Sequence, residues 1–177
     1  MSQRIEEGLN DYAVFDWSVM SFVSEMLDEF SRYQDPREAI YHILERIGDI
    51  YQVDRVYICL FSSDEESFQT DIQWYKEEAG PVKWSYPARR EQVLSIFQYG
   101  CLAKYDRVSD IQDAGARAYF EEMNVKASLE YLLVKNGYAF GWISLDDCHK
   151  TRHWETREIE LLQTVAMLFR ERTYRLE

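Results

Sequence analysis

Residues Val125–Cys148, VKASLEYLLVKNGYAFGWISLDDC, decide how this chain folds. Residues 127–135 and 138–146 are rich in β-branched and aromatic side chains, and Asn136-Gly137 stands between them. An Asn-Gly pair between two such runs favours a two-residue turn with positive φ at both positions, so the stretch predicts a tight antiparallel hairpin. It closes on Asp146-Asp147, and a helix follows from about Glu155. In that helix Ile159, Leu162, Val165, Ala166, Phe169 and Leu176 keep helical spacing. No Gly or Pro stops it, and it ends without a cap, so it is expected to continue into another element. The final Leu-Glu reads equally well as a cloning remnant.

Upstream of the hairpin, residues 54–62 (DRVYICLFS) alternate with apolar side chains on both faces, the pattern of a strand covered on two sides. Residues 62–67 form a polar turn. Residues 68–76 then alternate with Phe68, Ile72 and Trp74 on one side, a half-exposed strand. A loop is expected over 77–90, a short helix over 90–99, an edge strand over 105–108 and a short helix over 113–124. Before the first strand, Asp35-Pro36-Arg37-Glu38 starts a helix that runs to about residue 52, with Asp as N-cap and Pro in the first turn. A separate helix is expected over 12–33. Its apolar residues Val19, Phe22, Val23, Met26, Phe30 and Tyr33 are widened by Trp17, Met20 and Leu27 to a second face, which implies two packing partners. The division expected is an N-terminal helical extension, 1–34, and one domain, 35–177.

The 177 residues carry a formal net charge of −12, which repels phosphate backbones and anionic membranes. Direct nucleic-acid binding and membrane insertion are therefore not expected, and no apolar run is long enough to span a bilayer. The acidic N-terminus lacks the apolar core of a signal peptide. Cys59, Cys101 and Cys148 are odd in number and without CxxC spacing, which argues against a disulfide framework or a zinc site and fits a reducing cytoplasm.

From about Pro36 to Arg172 the order of elements resembles that of a GAF domain, a family of small-molecule-sensing modules. The specific pieces are Val53–Phe61, Gly141-Trp142-Ile143-Ser144-Leu145-Asp146-Asp147, and Trp154 followed by Glu158-Ile159-Glu160-Leu161-Leu162. The resemblance implies an α+β fold: a central antiparallel sheet with the N- and C-terminal helices on one face. A loop and short-helix roof then covers a ligand cavity on the other. A PAS-like fold, the alternative, needs its helices between strands. The Gly-Trp-Ile-Ser-Leu-Asp-Asp-Cys run is similar to bacterial signalling members found beside diguanylate cyclase, phosphodiesterase or histidine kinase domains.

Bilin-binding members are similar at Tyr119-Phe120-x-x-Met123-x-Val125-x-Ala127-Ser128-Leu129, but they carry a Cys-His pair where this chain has Gly115 and Ala116. A covalent bilin is therefore not expected, and the ligand stays unidentified. Methionine-sulfoxide reductases of the fold need a glycine-framed reactive Cys. Cys101 is the loop thiol here, without that frame. The cyclic-nucleotide signature is not recognisable.

Tyr57, Cys59, Trp74, Tyr131 and Trp142 are the strand residues expected to reach a cavity, since aromatic walls with a few polar groups make small-molecule pockets. Arg55 and Arg89-Arg90 are the candidates for an anionic ligand. Asp146-Asp147 reads as a strand-end turn capping backbone amides rather than a metal site, because two carboxylates make an incomplete shell. His149 and His153 lie in a loop and do not share a helix face. The function expected is a non-enzymatic sensory module, homodimeric through its terminal helices, passing ligand state to a fused output domain. A ligand-free dimerisation spacer and a thiol-dependent reductase-like enzyme are the alternatives.

Overall fold

The computed structural model describes residues 19–97 and 100–173. A helix, α1, covers 19–32, and α2 spans Pro36–Tyr51. Then come β1 (Arg55–Phe61), β2 (Phe68–Tyr75), β3 (Ser85–Tyr86), α3 (Arg90–Leu94) and β4 (Leu102–Tyr105). After a 3₁₀ turn at Val108–Asp110 follow α4 (Ala114–Glu122), β5 (Ala127–Lys135), β6 (Tyr138–Asp147) and α5 (Thr156–Thr173). The strands form one antiparallel sheet in the order β3-β2-β1-β6-β5-β4. Residues 12–18 of the expected first helix with Trp17, Tyr99 at the end of the expected 90–99 helix, and Leu176 lie outside the described residues.

Local sequence accounts for the frame. Asp35 accepts a hydrogen bond from the Arg37 amide at 2.9 Å, and Pro36 occupies the first turn of α2. Asn136 and Gly137 have φ of 52° and 79°, the two positive values that a type I′ turn needs. β1 sits in mid-sheet and is buried along almost its whole length, as its two-sided apolar pattern requires. α2 packs on β1 and β2, and α5 on β5. Between helices and sheet lies one core that includes Ile40, Leu44, Ile58, Leu129, Ile143 and Phe169. The segment between β2 and β5 folds over the opposite face and buries a second cluster, among it Tyr57, Phe68, Phe97, Phe120 and Trp142.

Several local expectations are corrected. Phe68 does not share a face with Ile72 and Trp74. Ile58 pairs with Ile72 and Cys59 with Thr70, so Asp71 is an extra residue that reverses the alternation. Phe68 consequently joins the roof-side cluster, while Ile72 and Trp74 join the helix-side core. The edge strand lies at Leu102–Tyr105, three residues before its expected start, and α3 is shorter than expected. Ser85–Tyr86, expected as loop, pairs with β2. On α1, Phe22 and Met26 are buried whereas Met20 and Leu27 are exposed.

Candidate functional site

The roof side of the sheet carries a block of polar side chains that the strand register assembles. Tyr57, Ser144 and Glu130 lie side by side across β1, β6 and β5, and Arg55, Asp146 and Ser128 form the next row. Each residue of a row faces the same way, because directly paired positions share a face. Glu130 and Asp146 are both buried. Ser144 donates to Glu130 Oε1 at 3.2 Å and stands 3.3 Å from Asp146 Oδ1, and Ser128 donates to Asp146 Oδ1 at 3.0 Å.

That arrangement leaves Glu130 Oε2, Asp146 Oδ2, Tyr57 Oη and Trp142 Nε1 buried without a hydrogen bond of ordinary geometry. Leaving such a group unpaired costs about 1–3 kcal/mol, more if it is charged, so four on one face of one sheet require an explanation. Burial, with the Asp146 charge adding to it, pushes the Glu130 carboxyl up to about 8, against help to the ionised form from Ser144 and the Trp142 indole. Burial also raises Asp146 to about 6, opposed by Arg55 and by hydroxyls that include Tyr57. Tyr57, Tyr119 and Cys59 are all pushed well up, chiefly by burial and further by these two carboxyls.

Above Glu130 and Trp142 opens a cavity of about 380 Å³. Its aromatic wall is Phe68, Tyr86, Tyr119 and Phe120, and Asp113, Gly115 and Ala116 at the start of α4 complete one side. Phe68 meets Trp142 and Tyr86 meets Tyr119 edge to face, at 4.8 and 4.7 Å, while Phe68 and Tyr86 stack on each other. Among the described residues no lysine, arginine, histidine or cysteine lines the cavity. A groove of about 310 Å³ between α1 and α2 is walled instead by exposed charged residues such as Glu25, Asp28 and Arg46, and holds none of the unpartnered buried atoms.

The structure divides the eight residues singled out from the sequence. Trp142 lines the cavity. Tyr57 and Cys59 belong to the same apolar cluster beneath it. Trp74 and Tyr131 are not brought to it: they face the helices, Trp74 lying so close on Gly48 of α2 that a Cβ there would meet its ring at 2.1 Å. Arg55 donates to the carbonyls of Gly80 and Met123 at 2.8 and 2.9 Å and to that of Ala79, which ties two roof segments to the sheet and leaves no fork for an anion. Arg89 pairs with Glu66, while Arg90 donates to the Ala139 carbonyl and stacks on Tyr138.

Asp147 behaves as a capping carboxylate, accepting from the His149 and Lys150 amides at 3.0 and 2.9 Å. Asp146, read from sequence as its companion in the turn, does not, because alternation along β6 turns it inward. Asp54, Asp147 and His149 offer ligand atoms within 4.8 Å of one another. Asp54 is already engaged, by Lys76 at 3.2 Å on one oxygen and by the Cys148 amide and His149 at 2.8 and 2.9 Å on the other. Those bonds outweigh the effect of burial and hold Asp54 below the usual carboxylate range. His153 pairs elsewhere, with Asp106. Cys101 lies beside Tyr131 and Ala166, away from the cavity.

Glu130, Ser128 and Ser144 were missed from sequence, and Asp146 was read only as part of the turn. Their signal was present as polar residues two apart in two otherwise apolar strands.

The family model for the GAF domain matches residues 35–170. Among curated proteins, the methanogenesis regulatory histidine kinase FilI of Methanothrix harundinacea is 27% identical over 143 residues, 75% of this chain and 16% of that protein. The chain thus spans about a sixth of this relative's length. Among solved structures, the chromophore-binding domain of Stigmatella aurantiaca phytochrome P1 superposes with a TM-score of 0.72 at 18% identity, over 87% of this chain and 59% of that one. The phycocyanobilin-bound GAF domain of a cyanobacterial phytochrome gives 0.72 at 16% identity, over 86% and 92%. At these identities the likeness is one of fold.

Proposed function

This chain belongs to the GAF domain family, and from that premise we propose that it is the sensory module of a signalling protein, binding a small molecule under its roof. The observation that carries the reading is the set of four unpartnered buried polar atoms on the roof side, two of them on Glu130 and Trp142 at the cavity floor. A ligand-free spacer would fill that space with its own side chains. Here about 380 Å³ stays open above polar groups that lack partners.

The cavity and the helices share strands, which supplies a route for the signal. Glu130 faces the cavity, while its neighbour Leu129 faces the core beneath α5. At the start of α5, Trp154 donates to the Tyr105 carbonyl at 3.2 Å, and Tyr105 packs edge-on against Phe120 of the cavity wall. Arg152 and Tyr51 bind α2 to the same region. A ligand that fits one placement of β4 and β5 better than another shifts α5 with them, by its difference in affinity for the two.

The output would be a fused domain such as a histidine kinase or diguanylate cyclase, in the cytoplasm. FilI, a histidine kinase by name, favours the former. Pairing of two copies through α1 and α5 is supported by Met20, Leu27 and Met167, apolar side chains left exposed there. Among the described residues no helix is long and apolar enough to cross a membrane. A covalently held bilin is not part of the proposal. Gly115 and Ala116, the positions matched to the attachment pair, do line the cavity but offer no thiol.

Native mass spectrometry of the freshly purified protein, then of the same sample denatured, tests the reading. A single mass excess lost on denaturation is expected. A protein without excess mass, and unprotected thermally by any cell extract fraction, overturns it in favour of the spacer.

A further inference from the structure

We propose that Glu130 on the cavity floor receives a primary amine in its cationic form, carried on a small aromatic or apolar body, an inference that rests on the sensory reading of this cavity. Glu130 Oε2 is buried without a hydrogen bond of ordinary geometry on a residue that lines the cavity, while Asp146 Oδ2 and Tyr57 Oη lie in the neighbouring sheet positions, outside the lining. An ammonium group offers N–H donors and no acceptor, which is what a buried carboxylate oxygen without a partner lacks. The serines cannot serve the same oxygens, since Ser128 and Ser144 already point at Glu130 Oε1 and Asp146 Oδ1. The Trp142 indole N–H beside it, though outside ordinary hydrogen-bond geometry, favours the ionised form of Glu130, the form a bound cation requires.

The surroundings agree. The titratable and charged groups facing Glu130 and Asp146 are Arg55, Tyr57 and Cys59 from β1 and Tyr119 from α4, with Tyr105 of β4 close enough to feel the Glu130 charge and Asp113 at the rim. Arg55 is the one cation among them, and three carbonyls hold it. The site therefore lacks a positive charge that a ligand can bring. The aromatic wall of Phe68, Tyr86, Tyr119 and Trp142 holds an apolar body and attracts a cation through its ring faces. The volume sits at the lower end of the roughly 300–1,000 Å³ of small-molecule sites, enough for one compact ligand.

Charging Glu130 on binding has a consequence. Its proton leaves as the amine docks, so amine affinity rises with pH up to the point where Glu130 ionises unaided, near 8.

Isothermal calorimetry with phenethylamine, 2-phenylethanol and 3-phenylpropionate, at about pH 6.5 and about pH 8.5 in two buffers of different ionisation heat, tests this. The amine is expected to bind at least about tenfold more tightly than the alcohol at the higher pH, with the carboxylate weakest. It should also tighten about tenfold between the two pH values and release a proton to the buffer. Glu130→Gln should remove both the proton release and the pH dependence. If that variant does not fold, the two-buffer comparison on the unaltered chain decides alone. An alcohol that binds as tightly as the amine, or amine binding without proton release, overturns the cation inference while leaving the cavity a ligand site. No binding of any probe also overturns it, and the copurified mass then judges the sensory reading separately.

Discussion

On its helix side the sheet presents Val56, Ile58, Leu129, Leu133, Ile143 and Leu145, hydrocarbon throughout, closed under α2 and α5. On its roof side the same strands present Tyr57, Ser128, Glu130, Trp142, Ser144 and Asp146, with four polar atoms unpaired. The first face is organised as a folding core, where every atom finds an apolar neighbour. The second surrenders stability to keep chemistry available, as sites do when they break the rule that buried polar groups are satisfied. On the proposed sensory reading, it is the roof side that a ligand would stabilise.

The largest effects are expected on the helix side. Leu129→Ala or Ile143→Ala should cost about 2–5 kcal/mol, because a fully buried side chain is replaced by a cavity beneath rigid helices. Urea unfolding should show this as a lower midpoint with an unchanged slope. A cost under about 1 kcal/mol would mean that this face is not the folding core.

Next in size is a pH dependence that belongs to the roof side. Glu130 keeps its proton in the folded chain up to about 8, against an ordinary value of 4.5. Between those values the folded state binds more protons than the unfolded one, so stability is greatest at the acid end and falls as pH rises towards 8. At about 1.4 kcal/mol per pH unit the upper bound is roughly 5 kcal/mol, and relaxation should leave about 2. His149, raised by its bond to Asp54, adds a change of the same sign above its ordinary 6.5. Asp54 works the other way, stabilising above the usual carboxylate range and losing that as pH falls through its lowered value. Urea titrations from about pH 5 to about pH 8.5 measure the slope, and a ligand-free chain more stable at the alkaline end would contradict the assignment.

How much of this contrast could be read beforehand depends on two bulges. The hairpin was legible because Asn136-Gly137 accepts both positive φ values, and α2 because Asp35-Pro36 caps it. Which residues face which side was not. Counting back one for one from Lys135 and Tyr138 would set Glu130 opposite Ile143. Between Val134↔Ala139 and Leu133↔Gly141, however, Phe140 is extra, and beyond it Glu130 meets Ser144 and Ser128 meets Asp146. Gly141 marks the irregularity: a Cβ there would stand 2.2 Å from the Cys59 carbonyl of β1, so only glycine permits that approach. Asp71 does the same to β2 and sends Trp74 to the helices instead of the cavity. Period-2 reasoning fails at an inserted residue, and composition gives no warning of one. Of the aromatic wall only Trp142 was named as pocket material from the sequence; Phe68, Tyr86, Tyr119 and Phe120 were not, and the carboxyl beneath them depended on register.

A smaller effect sharpens the comparison. Glu130→Met should stabilise the ligand-free chain by about 1–2 kcal/mol at pH near 8, since a side chain of similar length without a charge removes the need to solvate one. The same substitution should flatten the pH slope to the shares left by His149 and, below about pH 6, by Asp146. Chemical denaturation at two pH values reads both. A destabilised variant would mean that Glu130 is already satisfied and that the roof side is a core like its opposite.

Smallest is the response of the two tryptophans to Phe. Trp74→Phe should cost about 1–2 kcal/mol, because its ring fills the space that Gly48 leaves and the truncation opens a void under α2. Trp142→Phe should cost less than about 1 kcal/mol. Its N–H makes no hydrogen bond of ordinary geometry, and the cavity beside it already holds open space for Phe61 and Phe68 to adjust into. Thermal melts of the pair at one pH suffice. If Trp142→Phe proved the costlier change, the indole N–H would be bonded in solution, and the roof side would hold one unsatisfied group fewer than its geometry displays.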